Sequence, residues 1–122
     1  MCLICAGIKE TIDDIVCYKV YVVVNRNLLS PYRREKAPEE GIIATTRLGT
    51  IKSPNNVVYE GFHSFATLKD AISDSKYLAR YDDCNPIIVR CIIPKDSKCY
   101  IGSFWGKTAY CSDSIKLIEI CA

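Results

Sequence analysis

Three stretches of this chain carry side chains able to do chemistry. In "RNLLSPYRREK", residues 26 to 36, Arg26, Arg33, Arg34 and Lys36 surround a Ser-Pro-Tyr turn. Guanidinium forks match the paired oxygens of a phosphate or diphosphate, and Tyr32 sets a flat face beside them. Glu35, Glu39 and Glu40 lie near enough in sequence to neutralise those charges, which would leave an ordinary solvated loop. In "YEGFHSF", residues 59 to 65, the single histidine, His63, stands between Phe62 and Phe65. Strand alternation puts Phe62 and Ser64 on one face and His63 with Phe65 on the other, so Phe65 is the better core candidate and Phe62 the better stacking surface. In "IGSFWGKTAY", residues 101 to 110, the only tryptophan, Trp105, follows Phe104 between two glycines. A tryptophan at a strand end stacks on a purine or anchors an oligomer; the alternative is a core side chain.

Arg90 is a fourth case. In "IIVRCII" it shares a strand face with Ile88 and Ile92, and a charge among apolar neighbours needs a partner. Glu60, Asp82 or Asp83 would serve, as would a bound anion. Reactive constellations are scarce. A Ser/His/Asp or Cys/His system would have to run through His63, so no catalytic residue is assigned. Neither G-x-G-x-x-G nor G-x-x-x-x-G-K-[ST] occurs, which excludes the Rossmann and P-loop classes. Cys2 and Cys5 have C-x-x-C spacing, but no second pair completes a tetrahedral zinc shell, so no metal or cofactor is expected. The eight cysteines mostly sit within Val, Ile and Tyr runs, where a free thiol behaves as a small buried hydrophobe.

These residues need a scaffold, and a chain of 122 residues suits one core, hence a single domain over residues 1–122. A net charge of +2 provides no global field for a nucleic acid polymer, so phosphate recognition must be local. No apolar run is long enough to span a bilayer, and the opening "MCLICAG" lacks a basic n-region and an A-x-A site. A soluble, intracellular domain is expected.

"VCYKVYVVVNR", Val16 to Arg26, is apolar on both faces and predicts a central strand. "IIATTRLGTIK" and "NVVYEGF", separated by "SPNN", predict a hairpin. From Thr67, Leu68, Ala71, Ile72, Leu78 and Ala79 recur at helical spacing, with Lys69, Asp70, Asp74 and Lys76 outside. Thr67 and Asp70 approximate a capping box, and Asn85 before a proline ends the helical region. "IIVRCII", "KCYIGSFWGKTAYCS" and "SIKLIEICA" supply further strands, while "MCLICAG" is either an edge strand or the lead into a short helix. The sum is an α+β domain: a mostly antiparallel sheet, Greek-key or meander-like, with one main helix packed on it.

The succession "LLSPYR", "GFHSF" leading into "TLKDA", "VRCIIPKDSKCYIG" and "SDSIKLIEI" resembles small phage and prophage proteins of the first-described anti-Thoeris family. These are sponges that sequester the cyclic ADP-ribose signals of bacterial immune TIR enzymes, and the likeness runs from about residue 17 to 120. The resemblance implies a nucleotide-signal-binding domain that holds cyclic ADP-ribose isomers, such as glycocyclic ADP-ribose, without cleaving them. It also implies a homo-oligomer, dimer or higher, in the cytoplasm of the bacterial host, with no membrane partner. Such a ligand asks for stacking surfaces, hydroxyl or amide partners, and guanidinium groups. This chain offers Tyr32, Phe62, Phe104 and Trp105 for the first, Ser30 and Asn85 for the second, and Arg26, Arg33, Arg34 and Arg90 for the third, with His63 as a further contact. Two other classes compete. An ADP-ribosyltransferase-like enzyme would need Glu60 or Glu119 against the glycosidic carbon, but the S-T-S and E-x-E cues are missing. An interaction domain of a phage would use Phe104 and Trp105 as its interface.

Overall fold

A strand apolar on both faces must be covered on both, and the computed structural model meets that demand at Ile15–Val24. The structure describes residues 3–10, 13–31, 35–53, 56–81 and 85–122, with 3–10 and 81 described by backbone alone. In chain order the elements are β1 (Leu3–Glu10), β2 (Ile15–Val24), β3 (Asn27–Leu29), β4 (Ile43–Thr45), β5 (Val57–Val58), β6 (Phe62–Phe65), α1 (Leu68–Tyr81), β7 (Pro86–Ile93), β8 (Lys98–Phe104), β9 (Lys107–Ser112) and β10 (Ser114–Ile120). One sheet runs β4, β10, β7, β2, β6, β9, β8, β1, β5, with β3 beside β2. Its strand pairs are antiparallel, and the helix lies over β2, β6 and β7, an α+β arrangement.

Alternation along β2 sorts its side chains into two cores. Val20 joins Phe65, Ile88, Phe104 and Ala109 beneath Ala71 and Leu78 of the helix. Cys17 and Tyr21 join Val89, Cys91, Ile93, Ile115 and Leu117 on the other face. The thiols follow this pattern: Cys17, Cys91, Cys99 and Cys111 are free and buried. The helix begins where the capping residues predict, with the Asp70 amide donating to Thr67 Oγ1 at 3.2 Å.

Three expectations need correction. From Leu3 on, the stretch "MCLICAG" belongs to β1, which is not an edge but lies between β8 and β5. The hairpin predicted over residues 42–62 does not form as a pair of strands. A tight reversal closes between Lys52 and Val57, at 2.9 and 3.1 Å, but β4 pairs with β10 and β5 with β1. Local turn chemistry fixes the reversal, whereas long-range apolar partners decide which edge each strand joins. Asp74 is not on the outer face of the helix; it is 5% exposed and belongs to the same stripe as Ala71 and Leu78.

Candidate functional site

The ladder between β2 and β6 consists of one residue pair, Tyr18 with Phe65. Continued, that register would set Val20 against His63, but the strands part before they meet, and a cleft of about 280 Å³ opens between them. Residues of both sheet faces line it. Lys19, Tyr21 and Phe62 come from one face, and Val20, His63, Phe65 and the helical Asp74 from the other. The floor residues Lys19, Val20, Tyr21, Phe65 and Asp74 are buried, while Glu35, Lys36, Arg47, Tyr59 and Glu60 are exposed at the mouth.

Lys19 takes up the carbonyl that the missing ladder would have used, its Nζ donating to the His63 main-chain oxygen at 2.7 Å. The ammonium also sits 5.3 Å from the centroid of the Tyr21 ring. Among the described residues it makes no ion pair, and burial pulls its pKa below the ordinary lysine value. His63 Nε2 lies 3.2 Å from the Val58 oxygen. A carbonyl only accepts, so Nε2 carries a hydrogen, and this contact by itself favours the charged ring. Burial first, and the Lys19 charge second, push the His63 pKa down to about 3. Asp74 moves the other way, its carboxyl raised by burial against an opposing pull from Lys107. The Tyr21 hydroxyl is buried with no hydrogen-bond partner among the described residues. A buried polar atom left in this state beside a cleft is suited to a ligand or a water.

Gly61 shapes the wall at the start of β6. It has φ +138°, and a Cβ there would meet Cys111 Sγ at 2.4 Å, Leu48 Cδ1 at 3.0 Å and the Ser112 oxygen at 3.2 Å. Only glycine lets the chain pass this closely over β9. On the opposite rim, reciprocal contacts clamp the ends of the 30–35 loop. Ser30 N donates to the Glu35 oxygen at 2.8 Å, and Glu35 N donates to Ser30 Oγ at 3.0 Å.

Of the residues expected from the sequence to contact a ligand, the fold brings Ser30, Phe62 and His63 together in this cleft, with Lys36 and Glu60 at its mouth. Tyr32, Arg33 and Arg34 lie outside the described residues. Arg26 occupies the left-handed turn between β2 and β3, exposed and off the cleft. Asn85 lends its carbonyl to Val23 N at 3.0 Å and is likewise not in the wall. Arg90 has a structural partner that was not among those considered: Glu119, its neighbour across β7 and β10, at 2.6 Å. That pair also removes Glu119 from any part in the cleft. Phe104 is 8% exposed and packs 6.0 Å from Phe65, so it is a core ring and not a stacking surface. Trp105 is the opposite, 82% exposed at φ 50° in the turn between β8 and β9. With Ser73, Asp74, Tyr77 and Lys107 it borders a second cavity of about 260 Å³ that shares Asp74 with the first.

Lys19 and Asp74 are the residues the sequence argument passed over. Each had a signal: Lys19 is the one charge in the apolar run of β2, and Asp74 stands three residues after Ala71 and four before Leu78 on the helical stripe.

No family model, curated protein or solved structure matches this chain. The functional reading therefore rests on the chemistry of the cleft.

Proposed function

We propose that this protein is a non-catalytic binding protein for a small anionic nucleotide signal of the cyclic ADP-ribose type, held in the cleft between β2 and β6. The observation that carries the reading is the parted β2 and β6 pair. It leaves a concave site with Phe62 and Tyr59 as flat surfaces, a Tyr21 hydroxyl on the floor with no hydrogen-bond partner among the described residues, and Lys36 and Arg47 beside Glu35 and Glu60 at the mouth. Aromatic surfaces beside convergent polar groups are common in small-molecule sites, and this lining is the more polar for its charged side chains, Lys19, Glu35, Lys36, Arg47, Glu60 and Asp74.

At about 280 Å³ the cleft falls just below the roughly 300–1,000 Å³ range of ligand pockets. It therefore takes a nucleoside-sized part of the ligand, and the diphosphate lies toward the cations of the mouth. A ligand of about 35 heavy atoms at roughly 0.3 kcal/mol each reaches about 10 kcal/mol, a dissociation constant of tens of nanomolar. That suffices to sequester a signal present at micromolar concentration, as a sponge of the anti-Thoeris kind would. Self-association belongs to the same proposal, and Ile42 and Ile43, exposed at the β4 edge, support it. Among the described residues no helix is long and apolar enough to cross a membrane.

The enzyme alternative retains one nominee, Glu60, at the mouth and 3.9 Å from Arg47. One experiment separates the readings. The protein is mixed with cyclic ADP-ribose isomers, freed of unbound ligand and heated, and the released material is chromatographed. Intact ligand supports the binding protein and cleaved ligand the transferase-like enzyme; failure to take up any isomer refutes both.

A further inference from the structure

The floor of the cleft holds a feature that nucleotide binding does not require. Lys19 is 8% exposed, yet its ammonium makes no ion pair among the described residues; it touches a main-chain carbonyl and the face of Tyr21, and Glu35 acts on it only at longer range. A lysine kept only for structure is ordinarily paired when buried, because removing an ammonium from water costs several kcal/mol. This one faces open space, and the space is lined by the carboxyl groups of Glu35, Glu60 and Asp74 and by the cations Lys36 and Arg47, the second of them 3.9 Å from Glu60.

We propose that Lys19 is a nucleophilic amine that captures a small anionic carbonyl compound, an aldehyde or α-keto acid, as an imine in the cleft. The nitrogen lone pair attacks the carbonyl carbon, forming the C–N bond as the carbonyl electron pair moves to oxygen. That oxygen takes both protons the nitrogen gives up, the C–O bond breaks, and one water leaves with the imine formed. No oxidant or reductant is consumed. Glu35 and Asp74 share the cleft and are groups able to relay these protons, and burial raises the Asp74 carboxyl above its ordinary value. Burial also favours the free amine of Lys19 over the ammonium. Lys36, which makes no ion pair among the described residues, supplies the attraction for the ligand's anionic group. This inference goes beyond the nucleotide reading and does not depend on it.

The test uses the folded, full chain with glyoxylate as probe and cyanoborohydride to reduce the imine, followed by peptide mass spectrometry. Lys69 and Lys76, exposed on the helix, are internal references. The expected result is labelling of Lys19 several-fold faster than either reference, a preference that disappears in denaturant. Formaldehyde, the uncharged comparator, should show a smaller preference for Lys19 than glyoxylate does. Labelling of Lys69 and Lys76 with Lys19 unmodified, or equal rates at all three, overturns the proposal. Equal preference with the two aldehydes overturns its anionic part.

Discussion

Acid should weaken this fold earlier than carboxylate titration alone would, and the sole histidine is the cause. His63 is held neutral in the folded chain, with its pKa lowered from 6.5 to about 3. As the pH falls, the unfolded chain binds a proton that the folded chain refuses, so the unfolded state gains. The contribution is fully present above the unfolded pKa, declines as the pH drops through about 6.5, and is exhausted near 3. Each pH unit inside that window costs about 1.4 kcal/mol, so going from about pH 7.5 to about pH 5 removes roughly 2 kcal/mol. Asp74, with its carboxyl raised, works in the opposite sense, which is why a comparator is needed.

Urea unfolding followed by far-UV circular dichroism at several pH values measures the effect. Tryptophan fluorescence is a poor probe, because Trp105 is already exposed in the native state. The difference between wild type and His63→Gln isolates the histidine. A difference that stays constant within about 0.5 kcal/mol over the same pH range refutes the assignment of a neutral, buried ring. The carbon-bound ring protons of His63 in proton NMR give an independent reading: their shifts should not titrate between about pH 7.5 and pH 5 in the folded chain.

Gly61→Ala forces a Cβ to within 2.4 Å of Cys111 Sγ at φ +138°, and should lower stability in urea by roughly 2–5 kcal/mol. Asp74→Asn should raise the melting temperature at neutral pH, because it removes a carboxylate whose charged form burial disfavours; the gain should shrink as acid protonates the wild-type group. Arg90→Ala should cost at most about 1 kcal/mol and leave ligand uptake unchanged, since its pair with Glu119 is half-exposed and away from the cleft. Phe104→Ala, by contrast, opens the core under the helix and should cost about 3–5 kcal/mol by the same urea assay.

The α+β class, the central strand, the helix start at Thr67 and the inward turn of Phe65 were all written in local pattern. Periodicity and capping report how one segment meets a core, and each of these features is set by its own residues and their immediate neighbours. What local pattern could not supply was partnership. Arg90 needed a partner, but only the register of β7 against β10 made that partner Glu119. Phe104 and Trp105 are adjacent in sequence, and the two-residue turn sends one into the core and leaves the other in solvent.

The cleft is the strongest case. Its residues come from β2, the 30–38 segment, the approach to β6 and the helix, and it exists because β2 and β6 part after one residue pair. The sequence by itself determined that a lysine would stand inside an apolar strand, whereas its helical periodicity reads with Asp74 outside the apolar stripe. Only the tertiary structure decided that both would face one cavity, because the sites of burial and of strand separation depend on contacts between residues far apart along the chain.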